Sequence, residues 1–110
     1  LKGYAMKVSN TNCREFVINK KPFKANNLFA EYRTPIDDVY VVYSYGYHFP
    51  MFVNVKGTWY ENSDRYSVST SKQKNQAHPL VKSIKVPTNE IKNIIHNNVN
   101  GRIYKQHIGV

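Results

Sequence analysis

The chain reads as an α+β fold: a mostly antiparallel β-meander of four to five strands, with a short helix after the last strand and a C-terminal helix packed on the sheet. Three observations lead there. Nine tyrosines, five phenylalanines and Trp59 dominate the apolar residues, a mix that favours strands. Between Val39 and Thr70, strand-like runs are separated by turns too short for the crossover that a parallel pair needs. From Thr88 onward, apolar residues recur at helical spacing. A length of 110 residues suits one domain, 1–110, with a single ordinary core.

Taken in order, "REFVIN" (Arg14 to Asn19) alternates enough for a first strand. "NKKPF" breaks it, since Pro22 fixes its own φ and lacks a donor. "NLFAEYR" (Asn27 to Arg33) fits a strand or one helical turn, and "TPIDD" is a turn built on Pro35 and two aspartates. "VYVVYSYG" (Val39 to Gly46) is β-branched and aromatic throughout, which predicts a central strand buried on both faces. "YHFP" turns the chain into "MFVNV" (Met51 to Val55). Lys56-Gly57 makes a hairpin turn into "TWYEN". After "NSD", "RYSVST" (Arg65 to Thr70) alternates Tyr66 and Val68 against Ser67 and Ser69.

At Thr70 the pattern changes. "TSKQ" matches a capping box with Thr70 as the cap and Gln73 reaching back. The helix it opens ends at His78, which Pro79 pushes out of the helical region. "SIKVP" is a small edge strand. "TNEIKNIIHNNVNG" is the best helix: Thr88 caps it, Glu90 suits its first turn, and Ile91, Ile94, Ile95 and Val99 form one stripe. Asn100-Gly101 supplies the stop, leaving "RIYKQHIGV" as a short strand or loose tail.

Charge is the most informative bulk property, with a formal net of +9. Leu1 to Asp64 holds eight basic and six acidic residues, a net of +2, whereas Arg65 to Val110 holds eight basic residues and one acid, Glu90, a net of +7. Such asymmetry points to a cationic end with an anionic partner. Lys72 and Lys74 follow a strand end with no acid near them in sequence. Cations in a helix's first turn are disfavoured by the dipole, a cost that a bound phosphate reverses. Arg65, Lys72, Lys74, Lys82 and Lys85 are therefore the expected phosphate contacts, assisted by the Thr70 and Ser71 hydroxyls. Tyr43, Tyr45 and Tyr47 share one face of a strand, a ladder that suits base stacking or, more commonly, a core.

Several chemistries are not indicated. Cys13 is the only cysteine, so neither an internal disulfide nor a cysteine zinc cluster can form. His48, His78, His96 and His107 lack metal-ligand spacing, so no metal or cofactor is expected. "STSK" (Ser69 to Lys72) matches the S-x-x-K pair of some serine hydrolases, but the chain is too short for that fold. No apolar run approaches a membrane span, and "LKGYAMKVSN" lacks a signal peptide's apolar centre, so a soluble protein with no membrane partner is expected.

From Tyr40 to Pro79 the chain resembles a group of small uncharacterised phage- and plasmid-encoded domains, whose pattern runs VVYSYG, a Pro, W, then N-x-D-x-YS-x-TTSKHQ. The matching residues are Val41 to Gly46, Pro50, Trp59, Asn62, Asp64, Tyr66, Ser67 and Thr70 to Lys72. This chain departs from the pattern with Ser69 and with Gln73-Lys74, which weakens any catalytic histidine at the helix start. The resemblance implies a mobile-element protein acting in the cytoplasm of a bacterial host, and nothing about mechanism. The expected function is thus a non-enzymatic, phage-type accessory protein binding DNA or RNA. The alternatives are a protein-binding module, inhibiting a host protein or serving in a virion through exposed tyrosines and Trp59, and a small metal-independent ribonuclease using His78.

Overall fold

A computed structural model describes residues 5–33, 38–65 and 67–108. It corrects the expected four- to five-stranded antiparallel meander: the sheet is mixed and has seven strands among the described residues. In chain order, which is also their order in the sheet, these are β1 (Met6–Lys7), β2 (Phe23–Ala25), β3 (Leu28–Tyr32), β4 (Val39–Ser44), β5 (Pro50–Val55), β6 (Thr58–Asn62) and β7 (Ile84–Val86). Neighbours from β2 to β6 are antiparallel, whereas the outer pairs β1–β2 and β6–β7 are parallel. Among the described residues three α-helices accompany the sheet: α1 (Arg14–Ile18), α2 (Val68–Ala77) and α3 (Thr88–Ile108).

The parallel ends explain where the helices lie. A parallel pair needs a crossover, supplied by α1 between β1 and β2 and by α2 between β6 and β7. Two antiparallel reversals separate β2 from β4 and two more separate β4 from β6, so β1, β2, β6 and β7 all run the same way. Crossovers of one hand, moving in one direction across such strands, must fall on one face. Both do. Cys13, Val17 and Ala77 pack there with Tyr40, Val42, Phe52 and Trp59. The opposite face carries α3, whose Ile91 and Val99 pack on Val39, Val41, Tyr43, Val53 and Val55.

Helices on both faces account for the continuous burial of β4 and β5, as the "VYVVYS" run predicts. Trp59 and Tyr60 point to opposite faces and each meets a core: Trp59 joins the α1/α2 side and Tyr60 packs on the α3 side. Opposite Val42 and Tyr43 the register slips so that Phe52 and Pro50 are partners, and the extra residue Met51 joins Phe52 on the α1/α2 side. The β5–β6 turn is as expected, with Lys56 and Gly57 both at positive φ.

Four local readings are corrected. "REFVI" is helix, not strand: Val17 and Cys13 are both fully buried and stand four residues apart, a helical spacing hidden when the window starts at Arg14. "RYSVST" turns helical at Val68, which is 89% exposed, so its apolar alternation marks no buried face; Tyr66 lies outside the described residues. The α2 cap is Ser67, whose hydroxyl accepts from the Thr70 amide at 3.1 Å, three residues before the expected cap. Finally, α3 runs through Asn100-Gly101 to Ile108, since one glycine costs a helix only about 1 kcal/mol. Of the expected "TPIDD" turn, residues 34–37 lie outside the described residues. No helix among the described residues is long and apolar enough to cross a membrane.

Candidate nucleic-acid interface

The helix α2 is polar along most of its length, so its position is fixed by hydrogen bonds more than by an apolar stripe. Thr70 and Gln73 are buried against β4: Gln73 accepts from the Ser44 hydroxyl and donates to the Asn27 carbonyl at 3.1 Å. Gln73 is thus a tertiary anchor and does not close a capping box. At the other end, Arg14 of α1 donates to the carbonyls of Asn75 and His78, satisfying groups that a helix C-terminus leaves open.

This docking forms a cleft between β6, α2 and β7. It gathers five of the seven expected contact residues: Arg65, Thr70, Ser71, Lys74 and Lys85, together with Glu61. They are not equivalent. Thr70 is 2% exposed and its hydroxyl bonds to Ser67 and Ser44, which leaves it inside the fold. Lys74 is not free of acids, as its sequence neighbours imply: its Nζ lies 3.2 Å from Glu61 Oε2 and donates to the Asn62 carbonyl. Arg65 and Lys85 are exposed and form no ion pair among the described residues, and Ser71 is half-buried. The remaining two residues lie outside the cleft. Lys82 is exposed on the α2–β7 connection, and Lys72 projects from α2 into a separate polar hollow beside Tyr45.

Glu61 holds the cleft together. It is 5% exposed and receives His78 Nε2 at 3.1 Å, Ser83 Oγ at 2.8 Å and the Lys74 ammonium. Burial pushes its carboxyl up, but hydrogen bonds from Ser83 and Lys74 and the positive charge of Lys74 outweigh this and leave it below its usual value. The folded protein therefore gains stability from an ionised Glu61 at every pH above about 4.5, and loses it as pH falls through the lowered native value. A melting-temperature series should stay flat down to about pH 5 and then fall, with a shallower fall in Glu61→Gln.

His78 offers no spare nitrogen for acid–base work. Its Nδ1 accepts from the Leu80 amide at 2.9 Å, so Nε2 carries the proton it shares with Glu61. The ring also packs edge-on against Phe52, at 5.3 Å between centroids. Both nitrogens serve the fold. No group of three or more His, Cys, Asp or Glu among the described residues is placed to hold a metal ion.

Compared with protein-family models, curated proteins and solved structures, the chain matches none.

Sequence reasoning missed three features that matter to this region. Glu61 sits in a strand-like run where a lone acid reads as surface. Arg14 falls in a segment read as strand, which hides its role as a cap for α2. The tyrosine ladder divides: Tyr43 is 3% exposed, while Tyr45 and Tyr47 are 49% and 58% exposed. The division arises because Tyr45 adopts φ +66°, breaking strand alternation right after Ser44. A bulky residue in that region costs of order 1–3 kcal/mol.

Proposed function

We propose that the protein is a non-enzymatic nucleic-acid-binding protein that contacts phosphates through the basic second half of its chain. The observation that carries this reading is the state of the charges. Arg65, Lys72, Lys82, Lys85 and Lys92 are exposed and enter no ion pair among the described residues. The neighbouring acids are committed elsewhere: Glu61 to Lys74 and His78, and Asp64 to the Thr88 amide at 2.9 Å. Glu90 alone offsets these five cations from within the same stretch. Lys74 then acts as a structural cation behind the cleft, and Arg65 and Lys85 are its phosphate contacts. The resemblance to phage- and plasmid-encoded domains adds a setting, that of a mobile-element accessory protein in a bacterial cytoplasm.

Polyelectrolyte binding has a distinctive salt signature. With about four phosphates neutralised, affinity for DNA or RNA should fall roughly a hundredfold between 50 and 200 mM salt. Fluorescence anisotropy with labelled oligonucleotides measures this, and Arg65→Glu with Lys85→Glu should weaken binding by about tenfold or more. Absence of binding at low salt would overturn the reading in favour of a protein-binding module. That module would rely on Leu80, Val81 and Ile84, which are 65%, 49% and 51% exposed, because Trp59 is only 9% exposed.

A further inference from the structure

Away from the cleft, three surface hollows meet around the end of β4. The first holds Lys72 and Tyr45, the second holds Tyr45, Lys24 and Tyr47, and the third holds Tyr47, Arg33 and Lys92. Because Tyr45 lines the first two and Tyr47 the last two, the hollows adjoin in a run that passes from the α2 face to the α3 face, with cations alternating with half-exposed aromatic residues. We propose that this run binds single-stranded nucleic acid, with bases stacked on Tyr45 and Tyr47 and phosphates on Lys72, Lys24 and Lys92. The inference deepens the nucleic-acid reading and rests on it.

The Arg33 guanidinium lies over one face of Tyr47 at 5.7 Å, so a base would stack on the other. Tyr47 packs edge-on against Phe29 and Tyr43, with centroids 5.2 and 4.9 Å apart, and its hydroxyl donates to Glu31 at 2.9 Å. Its orientation is therefore fixed before any ligand arrives, which limits the ordering cost of binding. Tyr45 is aimed outward by its left-handed backbone, which is anchored by its amide donating to Asn27 at 2.9 Å. Among the described residues lining the run Glu31 is the one acid, and it is engaged by Tyr47 and by Arg33 at 3.6 Å. Exposed aromatic faces beside cations accept unstacked bases of any sequence, whereas a duplex presents no free base face. This sets the single strand apart from duplex, which can use phosphate contacts alone.

The test compares a labelled oligothymidylate of about twelve nucleotides with a duplex of about twelve base pairs, a length near the site sizes of single-strand binders. The single strand should bind more tightly. Tyr45→Gly with Tyr47→Ala should weaken single-strand binding by about tenfold or more and change duplex binding less than about twofold, whereas Tyr45→Phe with Tyr47→Phe should keep single-strand affinity. Tyr45→Gly alone should not lower the melting temperature, since glycine adopts positive φ freely, yet it should reduce single-strand affinity. Unchanged single-strand affinity in the Gly/Ala pair, with nucleic acid still bound, would overturn the proposal and leave the broader reading standing. If neither oligonucleotide binds at low salt, both fall.

Discussion

Replacing Glu61 with alanine should destabilise the protein by about 3 kcal/mol, the largest effect expected of any charged residue. The carboxylate is 5% exposed and faces Lys74, His78 and Ser83. Its removal leaves the Lys74 ammonium, itself three-quarters buried, with only the Asn62 carbonyl, and strands the His78 N–H and Ser83 hydroxyl. Unpaired buried charge is costlier than the pair was favourable, so the loss exceeds what the ion pair itself contributes. Thermal denaturation should show a drop of roughly 10 °C. Glu61→Gln, which keeps the acceptor oxygen and removes the charge, should cost about half as much. A drop of only a degree or two in Glu61→Ala would mean that α2 is held without this network.

Asn62→Ala should cost about as much, near 3 kcal/mol, for a different reason. The side chain is 1% exposed and is saturated: its amide donates to the Pro50 carbonyl at 2.8 Å and to Thr88 Oγ1 at 2.9 Å, and its oxygen accepts from the Asp64 amide at 2.8 Å. One residue thereby joins β5, the turn after β6 and the start of α3. Truncation leaves the buried Pro50 carbonyl and the Asp64 amide without that partner, and it frees Thr88. Amide exchange in the first turn of α3 should accelerate along with the loss of stability. Asn93→Ala, at an exposed position on the same helix, should change stability by less than about 0.5 kcal/mol.

What could be read from the residues depended on whether a segment is held by apolar burial. The buried β4–β5 pair, the Lys56-Gly57 hairpin and the Ile91-Ile94-Ile95-Val99 stripe of α3 are periodic apolar patterns with local turn chemistry, and each was legible. Elements held by polar contacts were legible only in part: a short helix ending at His78 was, but its start at Val68 and its anchors were not. The anchors of α2 are Thr70, Gln73, Lys74 and the incoming Arg14, residue types that sequence patterning assigns to solvent. The parallel pair at the start of the sheet was hidden for a related reason: β1 and β2 have two and three residues, too few to show alternation. In the candidate interface, the concentration of cations was visible from composition. Which of them an acid neutralises was not, because Glu61 and Lys74 are thirteen residues apart and meet only when α2 docks.

The coincidence of strand order with chain order has a consequence for how the molecule is made. Each strand from β2 onward pairs with the one synthesised just before it, so no segment waits for a distant partner to leave the ribosome. Successive pairing keeps loop-closure costs small and lets the hydrogen-bonded ladder lengthen while translation continues. The shielding of one face comes after the sheet, because α3 emerges later than β1 to β7. Until then Val39, Val41, Val53 and Val55 stand open on the growing sheet, and the nascent chain is most vulnerable to aggregation in that interval.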